Sequence, residues 1–114
     1  MLFVCYPKCS TCQKAKAWLE ARGIAFETRN IKEAPPTAEE LARWQLLSGK
    51  PLTRFVNTSG AQYRALGVKA SDLEEEALRA LLAGSGMLVK RPILVGDELA
   101  LVGFHEAEWG EKLT

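Results

Sequence analysis

Leu2-Phe3-Val4-Cys5-Tyr6-Pro7-Lys8-Cys9-Ser10-Thr11-Cys12 reads as a strand that hands over directly to a helix. Residues 2–6 are apolar on both parities, as in a central strand covered on both faces. Pro7 stops the strand, and Ser10 or Thr11 can open a helix that runs to about Arg22, where Gly23 ends it. Within that helix Cys12, Ala15, Trp18 and Leu19 share one face, while Gln13, Lys14 and Lys16 point mostly outward. Residues 25–31 (Ala-Phe-Glu-Thr-Arg-Asn-Ile) alternate loosely and read as a second strand. A helical crossover between two strands makes them parallel.

Pro35-Pro36 breaks the chain, and Thr37-x-x-Glu40 is a capping box for a helix reaching Ser48, punctuated by Gly49 and Pro51. Residues 52–68 read as a helical turn, a loop around Asn57-Thr58-Ser59-Gly60, and another turn. Ser71-x-x-Glu74 reads as a second capping box, for a helix that buries Leu73, Ala77, Leu78 and Leu81 and ends near Gly84. Ile93-Leu94-Val95 and Leu99-Ala100-Leu101-Val102 flank Gly96-Asp97, a hairpin signal, and Phe104 to Leu113 can close the fold as a helix. The order βαβ, helices, ββα fits an α/β sandwich of thioredoxin type.

The 114 residues suit a single domain, 1–114, with enough apolar content to bury a core unaided. With 47% hydrophobic and 25% charged residues, the chain is excluded from the disordered, collagenous and coiled-coil classes. No run approaches the roughly 18 apolar residues of a membrane span. No charged-then-apolar leader opens the sequence, so a cytoplasmic location is expected. Net charge is +1, with +4 on residues 1–57 and −3 on residues 58–114. That mild polarity argues against nucleic-acid or membrane binding and, with no obvious apolar patch, for a monomer.

The three cysteines fall at positions 5, 9 and 12. A secreted disulfide scaffold spreads an even number of cysteines through the chain; this clustering indicates chemistry or metal. Cys9 stands where a helix begins, facing free backbone N–H groups and the positive end of the helix dipole, both of which favour an anionic sulfur. Cys12 follows about one turn later, so the pair can act as nucleophile and resolving thiol through a reversible disulfide. Lys8 and Lys14 add positive potential. The rival chemistry is a zinc site from Cys5, Cys9, Cys12 and His105; redox chemistry with no metal is the reading adopted. Cys5 is read as a core residue, with a third redox thiol as its alternative. Arg91-Pro92 opens an otherwise buried strand, where proline cannot serve the ladder. In a thioredoxin-like fold that place holds a cis-proline beside the reactive cysteine, which would bring Arg91 close to Cys9, either to stabilise its thiolate or to grip an anionic substrate. Lys8, Ser10, Thr11, Asn57, Ser59 and Tyr63 are candidates for the surrounding cleft, and Asn57-Thr58-Ser59-Gly60 equally has the composition of a turn.

Residues 6–16 (Tyr-Pro-Lys-Cys-Ser-Thr-Cys-Gln-Lys-Ala-Lys) and Lys90-Arg91-Pro92-Ile93 together resemble the ArsC/Spx family of arsenate reductase-like proteins. The likeness extends over nearly the whole chain through Trp18-Leu19-Glu20, Asn30-Ile31, Asn57 to Gly60, Tyr63-Arg64-x-Leu66-Gly67 and Val102-Gly103-Phe104, and is strongest to the Spx/MgsR-like branch. The resemblance implies a thioredoxin-like core, about residues 1–35 and 87–114, with a mixed four-stranded sheet and a helical insertion at about 36–86. It places the redox cysteine at Cys9, its partner at Cys12, an arginine at Arg91 and the cis-proline at Pro92. Arsenate reductases of this fold also carry a histidine near the nucleophile, where this chain has Cys5, and bring three arginines to the oxyanion. Only Arg91 is plainly present here; Asn57 or Ser59 occupies the second position's region and Gly103 or Phe104 the third's. One arginine stabilises a multiply charged oxyanion poorly.

The expected function is therefore a thiol–disulfide oxidoreductase working through Cys9 and Cys12, supported by Arg91. Glutathione, glutaredoxin or thioredoxin is its expected reductant. The alternative is an Spx-like redox-sensing regulator that binds RNA polymerase through the C-terminal domain of its α-subunit. For that contact the matching stretch reads Ser48-Gly49-Lys50-Pro51-Leu52.

Overall fold

The structure is a computed structural model that describes residues 1–113; Thr114, the last residue of the expected domain, lies outside them. Strands β1 (Leu2–Cys5), β2 (Glu27–Asn30), β3 (Ile93–Val95) and β4 (Ala100–Val102) form one sheet in the order β2-β1-β3-β4. Helices α1 (Ser10–Ala21), α2 (Ala38–Ser48), α3 (Ala61–Leu66), α4 (Glu75–Gly84) and α5 (Glu106–Lys112) surround it. β1 runs parallel to β2, as the crossover through α1 requires, and antiparallel to β3, which forms a hairpin with β4. The sheet is thus mixed and four-stranded, as expected. Among the described residues no helix is long and apolar enough to cross a membrane.

The register sorts apolar residues onto two faces. Val4 pairs with Ile93 and Ile93 with Val102, and all three face the helices of residues 38–88, packing with Leu41, Trp44, Phe55, Leu78 and Leu82. Phe3, Leu94 and Leu101, one residue out of phase, face the other way with Cys5 onto Cys12, Ala15, Leu19 and Trp109 of α1 and α5. Period-2 alternation on strands buried from both sides explains why β1 reads as a continuous apolar run.

A fork of hydrogen bonds ties the strand-bearing core to the first inserted helix. Arg29 on β2 reaches Glu40 of α2 through Nη1 to Oε2 at 2.7 Å and Nη2 to Oε1 at 2.9 Å, and also donates to the Ala34 and Pro35 carbonyls at 2.9 Å each. Glu40 closes the capping box as well: its backbone N–H donates to Thr37 Oγ1 at 3.0 Å, and the Thr37 N–H donates back to its carboxylate at 3.0 Å. At the far end of the insertion a 3₁₀ turn (Gly86–Leu88) returns the chain to the sheet by pressing Gly86 against the end of β2. A methyl group at Gly86 would come within 1.8 Å of the Ile31 carbonyl oxygen.

Two expectations for residues 71–84 are corrected. Ser71 does not cap α4; residues 70–72 form a separate 3₁₀ turn, and Leu73 and Glu74 are extended, so the helix starts at Glu75 with Glu74 as its N-cap. Glu75 and Glu76 in the first turn complement the helix dipole instead. The buried face is Leu78 and Leu82, with Leu73 half-buried, whereas Ala77 and Leu81 are exposed. α4 packs on α2, and that contact takes Leu78 and Leu82 into the cluster with Leu41 and Trp44.

Hydrogen bonds from Arg29 hold the Glu40 carboxyl below its ordinary value. The lowered value means this stabilisation is complete above the ordinary carboxylate range and is lost as pH falls through the folded value. Glu40→Gln keeps the capping box but removes the charge. It should cost about 1 kcal/mol at neutral pH, lowering Tm by about 4 °C, with the difference from the parent vanishing in acid. Thermal melts of both proteins across pH measure this.

Candidate active site

The turn after β1 is closed by the Cys9 N–H donating to the Tyr6 carbonyl at 3.0 Å, which sets Cys9 as the N-cap of α1. A cysteine there lacks the strong acceptor oxygen of a usual cap. Its half-buried sulfur instead faces the backbone N–H and the thiol of Cys12. Cys12 is buried beneath, with its sulfur 3.4 Å from the Tyr6 backbone nitrogen, which donates to it.

Arg91 arrives from the other half of the chain. The strip before β3 is held by the Val56–Val89 bridge and by the Lys90 N–H donating to the Phe55 carbonyl at 2.7 Å. The Arg91–Pro92 peptide is cis, and Pro92 is buried. The guanidinium lies 5.4 Å from the Tyr6 ring centroid and acts on the Cys9 sulfur both as donor and as charge. Its Nε and Nη1 are buried without a hydrogen-bond partner among the described residues.

These surroundings divide the three thiols. Burial, the largest influence on Cys9, works against its thiolate. It is outweighed by the Cys12 backbone N–H, the Cys12 thiol and Arg91, which together hold Cys9 below the ordinary thiol value. Burial pushes Cys12 up to about 12; the Tyr6 N–H opposes this, while the neighbouring Cys9 sulfur adds to it. Cys5 is also raised, first by burial, with the charge of Lys16 opposing. Of the two, Cys9 is therefore the first to give up its proton, and Cys12 holds its own more tightly.

A cleft of about 300 Å³ opens at Cys9, lined also by Thr11, Asn57, Ser59, Gly60, Lys90, Arg91, Phe104 and His105. Asn57 is fixed by its N–H donating to the Leu88 carbonyl at 2.8 Å, and Ser59 donates to Asn57 Oδ1 at 3.1 Å. The segment is thus both a turn and a cleft wall. Lys8 and Ser10 are exposed but do not line the cleft: Lys8 sits at the outer corner of the turn and Ser10 on the outward side of the first helical turn. Tyr63 packs against the core and accepts the Ala70 N–H at 3.0 Å, on a different depression of the surface. What lowers the Cys9 thiol is first of all Cys12, then Arg91. Among the described residues no three metal-ligating side chains are grouped to hold an ion, so Cys5, Cys9, Cys12 and His105 do not form the alternative zinc site.

Lys90, Phe104 and His105 join the cleft as wall residues, a place the sequence does not give them: there His105 reads as a rival zinc ligand, and Lys90 and Phe104 only as parts of family motifs. Lys90 comes with the strip before β3, and Phe104 and His105 reach it because Gly103, at φ +71°, turns the end of β4 back over that strip, its N–H donating to the Pro92 carbonyl at 2.8 Å. Phe104 then packs edge-on to Trp18 and Trp109 at centroid distances of 5.9 and 5.0 Å, walling the cleft from behind. A glycine after an apolar strand is the only trace of this turn in the sequence.

Several known proteins are similar to this chain. The ArsC family model matches residues 5–112. YusI, an uncharacterized protein of Bacillus subtilis, is 43% identical over 98% of this chain and 97% of its own. The global transcriptional regulator Spx of Streptococcus agalactiae is 29% identical over 90% of this chain and 74% of its own. A crystal structure from Bacteroides fragilis, described as ArsC family related, superposes with a TM-score of 0.94 at 50% identity, covering 99% of this chain and 96% of that one. The match over almost the full length, on a cysteine-bearing strand-to-helix turn facing a cis-proline, shows that this chain belongs to the ArsC family.

Proposed function

We propose that the protein is a thiol–disulfide oxidoreductase with Cys9 as nucleophile and Cys12 as resolving thiol. One observation carries the reading: of three neighbouring cysteines, Cys9 has its acidity enhanced and opens onto a cleft, while Cys12 lies beneath it as a protonated donor. The Cys9 thiolate attacks one sulfur of a substrate disulfide, forming a mixed disulfide and releasing the other sulfur as a thiolate. Covalent capture removes the negative charge on Cys9 that holds the Cys12 proton. Cys12 then loses that proton, attacks Cys9 Sγ, closes Cys9–Cys12 and expels the second thiolate. Two electrons pass from the protein to the substrate; one released thiolate takes up the proton that Cys12 gives up, and the other takes a proton from water. A thiol donor (glutathione, glutaredoxin or thioredoxin) restores the dithiol. Arsenate reduction fits this cleft less well, since Arg91 is its one arginine among the described residues.

A second reading is favoured by the likeness to Spx, a global transcriptional regulator. The stretch Ser48 to Leu52 carries the chain out of the end of α2, with Lys50 held to Glu108 at 2.8 Å, and Leu46 in the last turn of α2 is 83% exposed. Such an apolar side chain beside a fixed turn suits docking to RNA polymerase, at the C-terminal domain of its α-subunit, with the Cys9–Cys12 pair as a switch.

Cys9→Ser should lower turnover of a disulfide substrate at least about a thousand-fold, whereas Cys12→Ser should accumulate the mixed disulfide at Cys9, visible by mass spectrometry. Mild oxidation of the unaltered protein should give a peptide map with Cys9 linked to Cys12 and Cys5 free; Cys5 in the bridge would overturn the roles assigned here. Capture of the polymerase domain only by the oxidised or only by the reduced protein would support the regulator, and absence of capture in both states would exclude it.

A further inference from the structure

Tyr6, the residue that follows β1, meets all three groups of the candidate site. Its carbonyl accepts the Cys9 N–H at 3.0 Å, and its own N–H donates to the Cys12 sulfur at 3.4 Å. Its ring lies under the Arg91 guanidinium, with 5.4 Å from the guanidinium carbon to the ring centroid. Almost any residue at this position could make the two backbone contacts; only the third depends on the side chain. The ring packs against the core cluster that Val4 shares with the helices of residues 38–88, so neighbours and not solvent set its place. Two other partly buried cations are held by carboxylates, Arg29 by Glu40 at 2.7 Å and Lys50 by Glu108 at 2.8 Å. Arg91 is held differently. Its Nε and Nη1 are buried without a hydrogen-bond partner among the described residues, and none of the cleft's described lining residues is a carboxylate.

Resting on the reading of Cys9 as nucleophile, we propose that the Tyr6 ring is the positioning group that holds Arg91 against the Cys9 sulfur. The reason is charge. A carboxylate would fix the guanidinium firmly, but it would offset the positive charge that favours the Cys9 thiolate and would itself repel that thiolate. An aromatic face attracts a cation through its quadrupole and carries no net charge. The guanidinium is thereby oriented while its charge stays available to the sulfur. The ring face is also a weak acceptor for N–H groups, which suits donors that find no oxygen. Such a contact favours the stacked arrangement roughly threefold at an exposed site and about thirtyfold once desolvated. Tyr6 acts through Arg91 and takes no part in the sulfur exchange. Because its ring rests on the inserted helices, it also carries their packing to Arg91 and so to Cys9.

The test reads the ionisation of Cys9 from its rate of alkylation by iodoacetamide, an uncharged probe, across pH, after subtraction of the Cys9→Ser background. Tyr6→Leu keeps an apolar side chain without a ring face. It should lower the Cys9 ionisation constant about threefold or more, moving the profile to higher pH. Tyr6→Phe keeps the face and should keep the parent profile. Arg91→Met moves the profile up by itself, and adding Tyr6→Leu to it should move it no further. In the unaltered protein the buried Arg91 Nε proton should resonate upfield of the usual arginine position, a reading that needs no substitution. A profile unmoved by Tyr6→Leu, one moved as far by Tyr6→Phe, an equal movement with and without Arg91, or an Nε proton at the usual position would overturn the role of Tyr6 and leave the oxidoreductase reading standing. An alkylation rate that survives Cys9→Ser in full would overturn both.

Discussion

A thiol at the mouth of a helix, ringed by groups that favour its ionised form, is the constraint on which the rest of this structure depends. An anionic sulfur half-withdrawn from water is costly unless donors surround it. Here the donors come from two distant parts of the chain: the N–H and thiol of Cys12 from the first turn of α1, and Arg91 from the strip before β3. Neither half supplies both. The sheet order β2-β1-β3-β4 places β3 beside β1, so the strip leading into β3 passes the turn that follows β1. Topology, not local sequence, completes the environment of the sulfur.

The helical segment between β2 and β3 has a part in this as well. It covers the second face of the sheet, and its 3₁₀ turn and the Val56–Val89 bridge fix the register of Lys90 and Arg91. The same segment brings Asn57 and Ser59 to the cleft opposite the cysteines. The Arg29–Glu40 fork at its entry and the approach of Gly86 to Ile31 at its exit hold both ends to β2. A perturbation in the insertion is therefore expected to be felt at Cys9 through the position of Arg91.

Much of this is legible in the residues themselves. The apolar run 2–5, the Gly23 stop, the Thr37–Glu40 capping box and the Gly96-Asp97 hairpin each leave a local signature, because each is decided by burial, capping or turn chemistry within a few residues. Cys9, Cys12 and Arg91 are legible for the same reason, as chemically distinctive residues at element boundaries. What escapes is what packing decides. Ser71-x-x-Glu74 has the letters of a capping box, yet the chain stays extended through Leu73 and Glu74, which delays α4, and packing on α2 selects Leu78 and Leu82 as its buried face. Lys8 looks well placed in sequence, but it sits on the outer corner of a tight turn. Lys90 and His105, 15 residues apart, meet only because Gly103 turns the chain after β4.

The protonation state of one sulfur decides the chemistry, and thiolate ultraviolet absorbance measured against pH on the reduced protein reports it directly. One thiolate should appear below the ordinary thiol range, absent in Cys9→Ser and moved to higher pH in Arg91→Met, while the buried Cys5 and Cys12 stay protonated well into alkali. Three thiols ionising together in the ordinary range, or an early step that survives Cys9→Ser, would contradict it.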